Sequence, residues 1–411
     1  MVALSIRMGS AAIAFVSQIL LARWLGGFQF GVFTYASVWL NVVGSLCAAG
    51  FATSALRFLP EYGERQDAAA ARAFIAAGRT IAIGCGIVAG VVLAAIVLAG
   101  RKWVDQAYIV PFLLVAISLP AYALTDFHDG VGRSQSWIGL ALGPSYVLRP
   151  LLTLILTFVL VFCGAAQGAT AAAGSLAAAS WIAAFLQYVK QKPLLAARFG
   201  GLERRSDLRV WVGVSLALLL VDGFSLMLAN LDLLLLDLWA EPQVIGHYFA
   251  AVKIISLIAF IQFAVSASAT GRFSALHFSG RATELDHLLG RTQLWTLVPT
   301  IGCAIAILVV GQWMLGLFGE DFVDAYPVMF VMAFGLIVRA AAGPSQCLLM
   351  ATGRQKAVCT ILVVTVAVNL ALCLLLIPRF GAMGAAFAVS CAFACESSAS
   401  MIVARRMLKR A

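Results

Sequence analysis

Charge is what this sequence has least of. Asp, Glu, Lys and Arg make up 11% of its 411 residues, where a soluble domain carries about 25%. That is too little to cover a water-facing surface, so a soluble enzyme and a nucleic-acid binder are both excluded. Long polar stretches are missing too, which leaves no room for a separate soluble domain. The nine cysteines lie in or beside apolar runs and none forms a C-x-x-C pair, so neither a metal site nor a disulfide framework is expected. No Walker motif occurs, which argues against ATP drive within this chain; no cofactor is expected. The first apolar run has no small-residue cleavage pattern behind it and a second run follows at once, so a cleavable signal peptide is not expected.

What fills the chain is apolar. Ala, Val, Ile, Leu, Met, Phe, Trp, Tyr and Cys account for 63%, and the mean hydropathy is +0.99. Runs near 4–24, 33–56, 80–100, 107–125, 137–162, 168–189, 210–231, 244–269, 293–317, 327–350, 357–377 and 382–403 are each about the ~20 residues that a helix needs to cross a bilayer. Helices are required because lipid offers no partner to unpaired backbone groups, and the runs lack the period-2 alternation of a membrane barrel. The expected fold is therefore an all-α integral membrane protein with about twelve transmembrane helices.

The +10 balance belongs to topology rather than to nucleic-acid binding. With the N-terminus placed in the cytoplasm, twenty of the 28 Lys and Arg residues fall in cytoplasmic segments. Four (Arg23, Arg101, Lys102 and Arg379) fall outside, and four lie within spans. That asymmetry follows the positive-inside rule and predicts an inner-membrane protein with both termini cytoplasmic. The most charged break, residues 190–209, lies near the midpoint and interleaves apolar with basic residues, which predicts a short interfacial helix linking an N-terminal bundle (1–189) to a C-terminal bundle (210–411). The halves look like repeats: Gly31 before Val32 and Phe33 resembles Gly246 before His247 and Tyr248, Gly132 resembles Gly353, and Gly168 resembles Gly384. Six spans per half would make the repeats parallel, a transporter arrangement.

Four stretches carry a more specific likeness. LARWLGGFQFGVF (21–33), ALRFLPEY (55–62), NLDLLLLDLWAEPQVIGHYFAAVKI (230–254) and IPRFGAMGAAFA (377–388) keep the order of similar segments in the polysaccharide transporter family. That family includes the O-antigen and exopolysaccharide repeat-unit flippases of the multidrug, oligosaccharidyl-lipid and polysaccharide exporter superfamily, and the chain resembles it over nearly its whole length. The resemblance implies two six-helix bundles arranged as a V around a central cavity. It also implies a polyprenyl-diphosphate-linked oligosaccharide as substrate, turned from the cytoplasmic to the outer leaflet for cell-surface polysaccharide synthesis. Membrane lipid, a polysaccharide polymerase and glycosyltransferases are the implied partners.

A diphosphate cannot cross hydrocarbon bare, since one buried charge costs at least ~2.5–3.5 kcal/mol. Cations within the spans are thus the first candidates for a substrate cavity: Arg149 between Pro144 and Pro150, Lys253, Arg339 ahead of Gly343 and Pro344, and Arg7 in the first turns. Each could instead be satisfied locally, and Arg7 could snorkel to the surface. Two carboxylates, Asp222 and Asp232, are candidates for ion coupling or for buried pairs with those cations. Asp126, His128, Asp129 and Arg133 read as a solvated helix end with local ion pairs rather than a metal site. Trp24, Trp103, Trp211, Trp239 and Trp313 read as an interfacial aromatic belt. Gly26 with Gly27, and Gly381 with Gly384, read as turn and packing residues. A drug or metabolite exporter of the same superfamily is the main alternative. A membrane polymerase or ligase is less favoured, because the outer loops are short and hold few basic residues.

Overall fold

The computed structural model describes residues 9–103, 105–164, 166–201 and 207–408, with helical backbone also at 2–8. Among them there is no strand. The helices are α1 Val2–Cys47, α2 Phe51–Glu64, α3 Ala68–Ala99, α4 Gln106–Ser134, α5 Ile138–Gly143, α6 Arg149–Phe162, α7 Gly168–Arg198, α8 Leu208–Leu236, α9 Pro242–Ser256, α10 Ala259–Phe278, α11 Ala282–Gly316, α12 Tyr326–Ala341, α13 Ser345–Ala351 and α14 Gln355–Leu408. A π-helical turn, Pro144–Leu148, joins α5 to α6, and a 3-10 turn, Glu320–Ala325, precedes α12.

Among the described residues, nine helical runs are long and apolar enough to cross a membrane. Two of these are double length. With 46 residues α1 would extend ~69 Å and with 54 residues α14 ~81 Å, against a hydrocarbon core of ~30 Å. Each is broken by one glycine in the left-handed half of backbone space, Gly26 (φ 75°) and Gly381 (φ 54°), where a side chain would be strained. Counting α1 and α14 twice, and α9 with α10 as one bent span, gives the twelve expected crossings.

The chain forms two compact units, Met1–Gly223 and Phe224–Ala411. The division falls inside α8, because the first part of that helix packs on unit 1. Ser215 and Ser54 share a hydrogen bond of 2.7 Å, and the Trp211 indole N–H donates to the Tyr62 hydroxyl at 2.7 Å. Trp211 is fully buried beside Phe74, Phe58 and Phe127. It is a core residue and not part of an interfacial belt, as its nearness to a span end had predicted; Trp103 and Trp313, by contrast, are exposed. Residues 190–198 of the expected interfacial linker helix continue α7, and Arg72 caps its end by donating to the Phe199 and Gly200 carbonyls at 2.7 and 2.5 Å. Residues 202–206 lie outside the described residues.

Within unit 1, the Gly26 turn lies at the end of the bundle where α7 begins: the Ala169 N–H donates to Gln29 Oε1 at 2.8 Å, and Trp24 packs on Phe158 and Phe162. α3 and α4 approach closely over Gly78, Ala82, Gly86 and Gly90, a small residue every fourth position. A Cβ at Gly90 would stand 2.5 Å from the Ala116 carbonyl oxygen, and one at Gly86 2.6 Å from Pro120 Cα. Small residues let membrane helices pack backbone to backbone.

Candidate functional site

Proline places Arg149. Pro144 opens the π turn and Pro150 follows Arg149 at the start of α6. A proline frees backbone carbonyls and a π turn displaces the side chains after it. The turn is tied to α4: the Ser145 hydroxyl donates to Asp129 Oδ2 at 2.7 Å, and Gln187 Nε2 of α7 donates to Asp129 Oδ1 at 2.7 Å. So held, the half-buried Arg149 puts its guanidinium 4.4 Å over the centre of the Tyr122 ring, a cation–π contact. Asn41 Nδ2 of α1 donates to the Tyr122 hydroxyl at 2.8 Å.

One helical turn further along α4, Asp126 lies in the electrostatic field of Arg133, Arg149 and Asp222. Asp222 accepts a hydrogen bond of 2.5 Å from the Thr53 hydroxyl of α2. Arg149 forms no ion pair among the described residues, and the same holds for Asp222. Unit 1 thus carries a polar cluster of Asn41, Thr53, Tyr122, Asp126 and Arg149, with Asp222 at its exposed edge. Of these the sequence pointed to Arg149 and Asp222. Tyr122, Asp126, Asp129 and Arg133 stand at i, i+4, i+7 and i+11, one face of a helix, and that spacing could have marked Tyr122 and Asp126, though not Asn41 or Thr53 on other helices.

The reading of Asp126, His128, Asp129 and Arg133 as a solvated helix end is corrected. α4 continues to Ser134 and is packed by α3 and α7, so His128 and Asp129 are 1% and 6% exposed. Arg79 Nε donates to His128 Nε2 at 3.0 Å, and Gln191 Nε2 to the His128 carbonyl at 3.1 Å. These bonds satisfy His128 Nε2 and the His128 carbonyl, groups that burial would otherwise leave costly, while His128 Nδ1 is buried with no hydrogen bond among the described residues.

The unit 2 candidates have separate surroundings. Lys253 is exposed on α9, its ammonium 4.8 Å from the centre of the Phe249 ring. Arg339 pairs with Glu396 of α14 at 3.3 Å and lies 4.6 Å over Phe393. Asp232 is buried and accepts a hydrogen bond from the Tyr248 hydroxyl. The Arg7 side chain lies outside the described residues.

The twelve-span, all-helical fold is that of the MOP-superfamily transporters. An inward-facing multidrug resistance MATE family transporter of that superfamily superposes with a TM-score of 0.75 at 12% identity, over 98% of this chain and 94% of that one. Lipid II flippase MurJ in an inward closed conformation gives 0.75 at 14% identity, over 98% and 88%. A MOP superfamily transporter from Pyrococcus furiosus gives 0.68 at 12% identity, over 99% and 94%. No protein-family model and no curated protein sequence matches the chain.

Proposed function

We propose that this protein is a flippase that carries a polyprenyl-diphosphate-linked oligosaccharide, the repeat unit of a cell-surface polysaccharide, from the cytoplasmic to the outer leaflet. The observation that carries this reading is Arg149. It is a guanidinium held within a bundle of membrane helices, on an aromatic ring, with no carboxylate at ion-pair distance among the described residues. Such a cation is expensive in hydrocarbon and marks a wet path or a charged cargo. Lys253, exposed on α9, is the second cation that fits a diphosphate. Arg339 is the weakest of the set, because Glu396 already neutralises it. Asp222, within the field of Asp126, is the better placed of the two ion-coupling candidates; Asp232 already holds a tyrosine hydroxyl.

The fold shared with a lipid II flippase supports a lipid-linked cargo. The division into 1–189 and 210–411 about the 190–209 linker, the cytoplasmic termini, and partnership with a polymerase and glycosyltransferases belong to the same proposal. The ion-coupled multidrug exporter is the second reading. Asp126, in the field of Asp222 as well as of Arg133 and Arg149, favours it, since paired carboxylates suit a cationic drug or a coupling ion.

Deletion in the native host followed by lipid analysis separates the two. Accumulation of polyprenyl-linked oligosaccharide on the inner leaflet, reversed by the wild-type gene but not by Arg149→Gln, supports the flippase. Unchanged lipids with altered drug sensitivity support the exporter.

A further inference from the structure

We propose that a groove between α10 and α11 in unit 2 binds the headgroup of an anionic glycerophospholipid of the surrounding bilayer. The groove has a volume of about 380 Å³ and is lined by Arg272 and Ala275 of α10 and by Glu284, His287 and Arg291 of α11. Its polar wall is cationic in balance. Glu284 is engaged by Arg281 at 2.5 Å, whereas neither Arg272 nor Arg291 forms an ion pair among the described residues. Two open guanidiniums on facing helices are the donor set that a phosphodiester takes.

The neighbouring surface selects a lipid over a free phosphate. Positions 284, 287 and 291 lie on the same face of α11 as Leu294, Trp295 and Val298, by the 3.6-residue period. These three are 60%, 56% and 64% exposed, an apolar track that begins where the arginines end. Ile305 and Val309 extend it at 58% and 77% exposed. From Arg291 to Ile301 the helix rises ~15 Å, half the hydrocarbon thickness and hence one leaflet. The Arg291 guanidinium stands 5.1 Å over the Trp295 ring, and tryptophan is the side chain that sits at headgroup depth. Arginine, tryptophan and then an exposed aliphatic track follow the order of phosphate, interface and acyl chain. The site is independent of the transported substrate. It requires only that these helices sit in a bilayer.

The test uses the full chain in nanodiscs of phosphatidylcholine into which brominated phosphatidylglycerol or brominated phosphatidylcholine is titrated. Bromine on an acyl chain quenches nearby tryptophan, and the difference between wild type and Trp295→Phe isolates Trp295. The expected result is saturable quenching of Trp295 with a preference for phosphatidylglycerol of about tenfold. The preference should vanish in Arg272→Gln/Arg291→Gln and persist in Arg209→Gln, on α8. Equal quenching by the two lipids, or an unaltered preference in the double variant, overturns the proposal. Loss of the preference on adding inorganic phosphate alone also overturns it, since the site is then one for free phosphate. If the double variant does not fold, as judged by gel filtration, the wild-type and Trp295→Phe titrations decide by themselves.

Discussion

Arg149 and Tyr122 are held face to face, guanidinium over ring at 4.4 Å, by two different anchors. The tyrosine is fixed by Asn41, and the arginine by a π turn whose Ser145 is bonded to Asp129. The pair is therefore built from α1, α4, α6 and α7, and its charge is presented on a rigid frame. If it meets a diphosphate, Arg149→Gln removes a charge-assisted hydrogen bond, worth ~1.5–3 kcal/mol, or a factor of about ten to a hundred in transport. Membrane abundance should be unchanged. Tyr122→Leu keeps the charge but loses a cation–π contact of ~0.5–2 kcal/mol, so its effect should be smaller. Flipping assays in reconstituted vesicles, scaled to protein amount, check the order; equal losses from both, tracking abundance, would make the pair structural.

Asp129 is the node on which that frame rests, because it accepts from Ser145 and Gln187 at once. Asp129→Ala would strand the Ser145 hydroxyl in a site that is 6% exposed and leave Gln187 Nε2 only its longer bonds to the Leu140 and Ala141 carbonyls, at 3.2 and 3.3 Å. Each buried unsatisfied group costs ~1–3 kcal/mol, so the melting temperature in detergent should fall clearly. Asp129→Asn keeps an acceptor for one of the two and should fall less. Ser145→Ala removes only one donor and leaves Asp129 with Gln187, so it should be the mildest of the three. Thermal scanning of the purified variants gives the ranking.

The twelve spans were legible because lipid demands ~20 apolar residues in a row, and hydropathy alone finds them. The turns at Gly26 and Gly381 were legible too, since glycine punctuates apolar runs for a steric reason. Pro144 and Pro150 announced a bend at Arg149 but not that it would be a π turn. What could not be read was burial of polar groups. Whether His128 and Asp129 face water depends on Gln187 and Gln191, some 60 residues away, and on where α4 ends. Trp211 failed for the same reason. Its place near a span end says nothing of Tyr62 and Phe74, which enclose it. Arg339 and Arg149 look alike in sequence, and only the position of Glu396 separates them.

The α3–α4 contact gives a prediction about packing alone. Gly86→Val and Gly90→Val would press a side chain into backbone at 2.6 and 2.5 Å, where overpacking costs ~1–3 kcal/mol or more. Gly84, on the same helix, has nothing within 4 Å of its would-be Cβ, so Gly84→Ala should be neutral or slightly stabilising through helix propensity. Expression level and melting temperature should separate the three variants in that order. A Gly90→Val protein as stable as wild type would mean that the two helices are not in backbone contact.

Arg339 and Glu396 supply the sharpest division between a structural cation and a transporting one. Glu396 is 3% exposed, and its carboxylate is 3.3 Å from the guanidinium. Removing one member of a buried pair leaves an uncompensated charge and costs ~3–5 kcal/mol, whereas replacing both by apolar residues of similar size is often neutral. Glu396→Met and Arg339→Met should therefore each reduce stability and membrane abundance, and the double variant should recover most of it. The pairing also fixes what transport must do. If Arg339 serves only to neutralise Glu396, the double variant transports at close to the wild-type rate per molecule. If Arg339 meets the cargo, the double variant is stable and slow. A double-mutant cycle read in both melting temperature and flipping rate distinguishes these outcomes, because stability reports the pair and rate reports the charge.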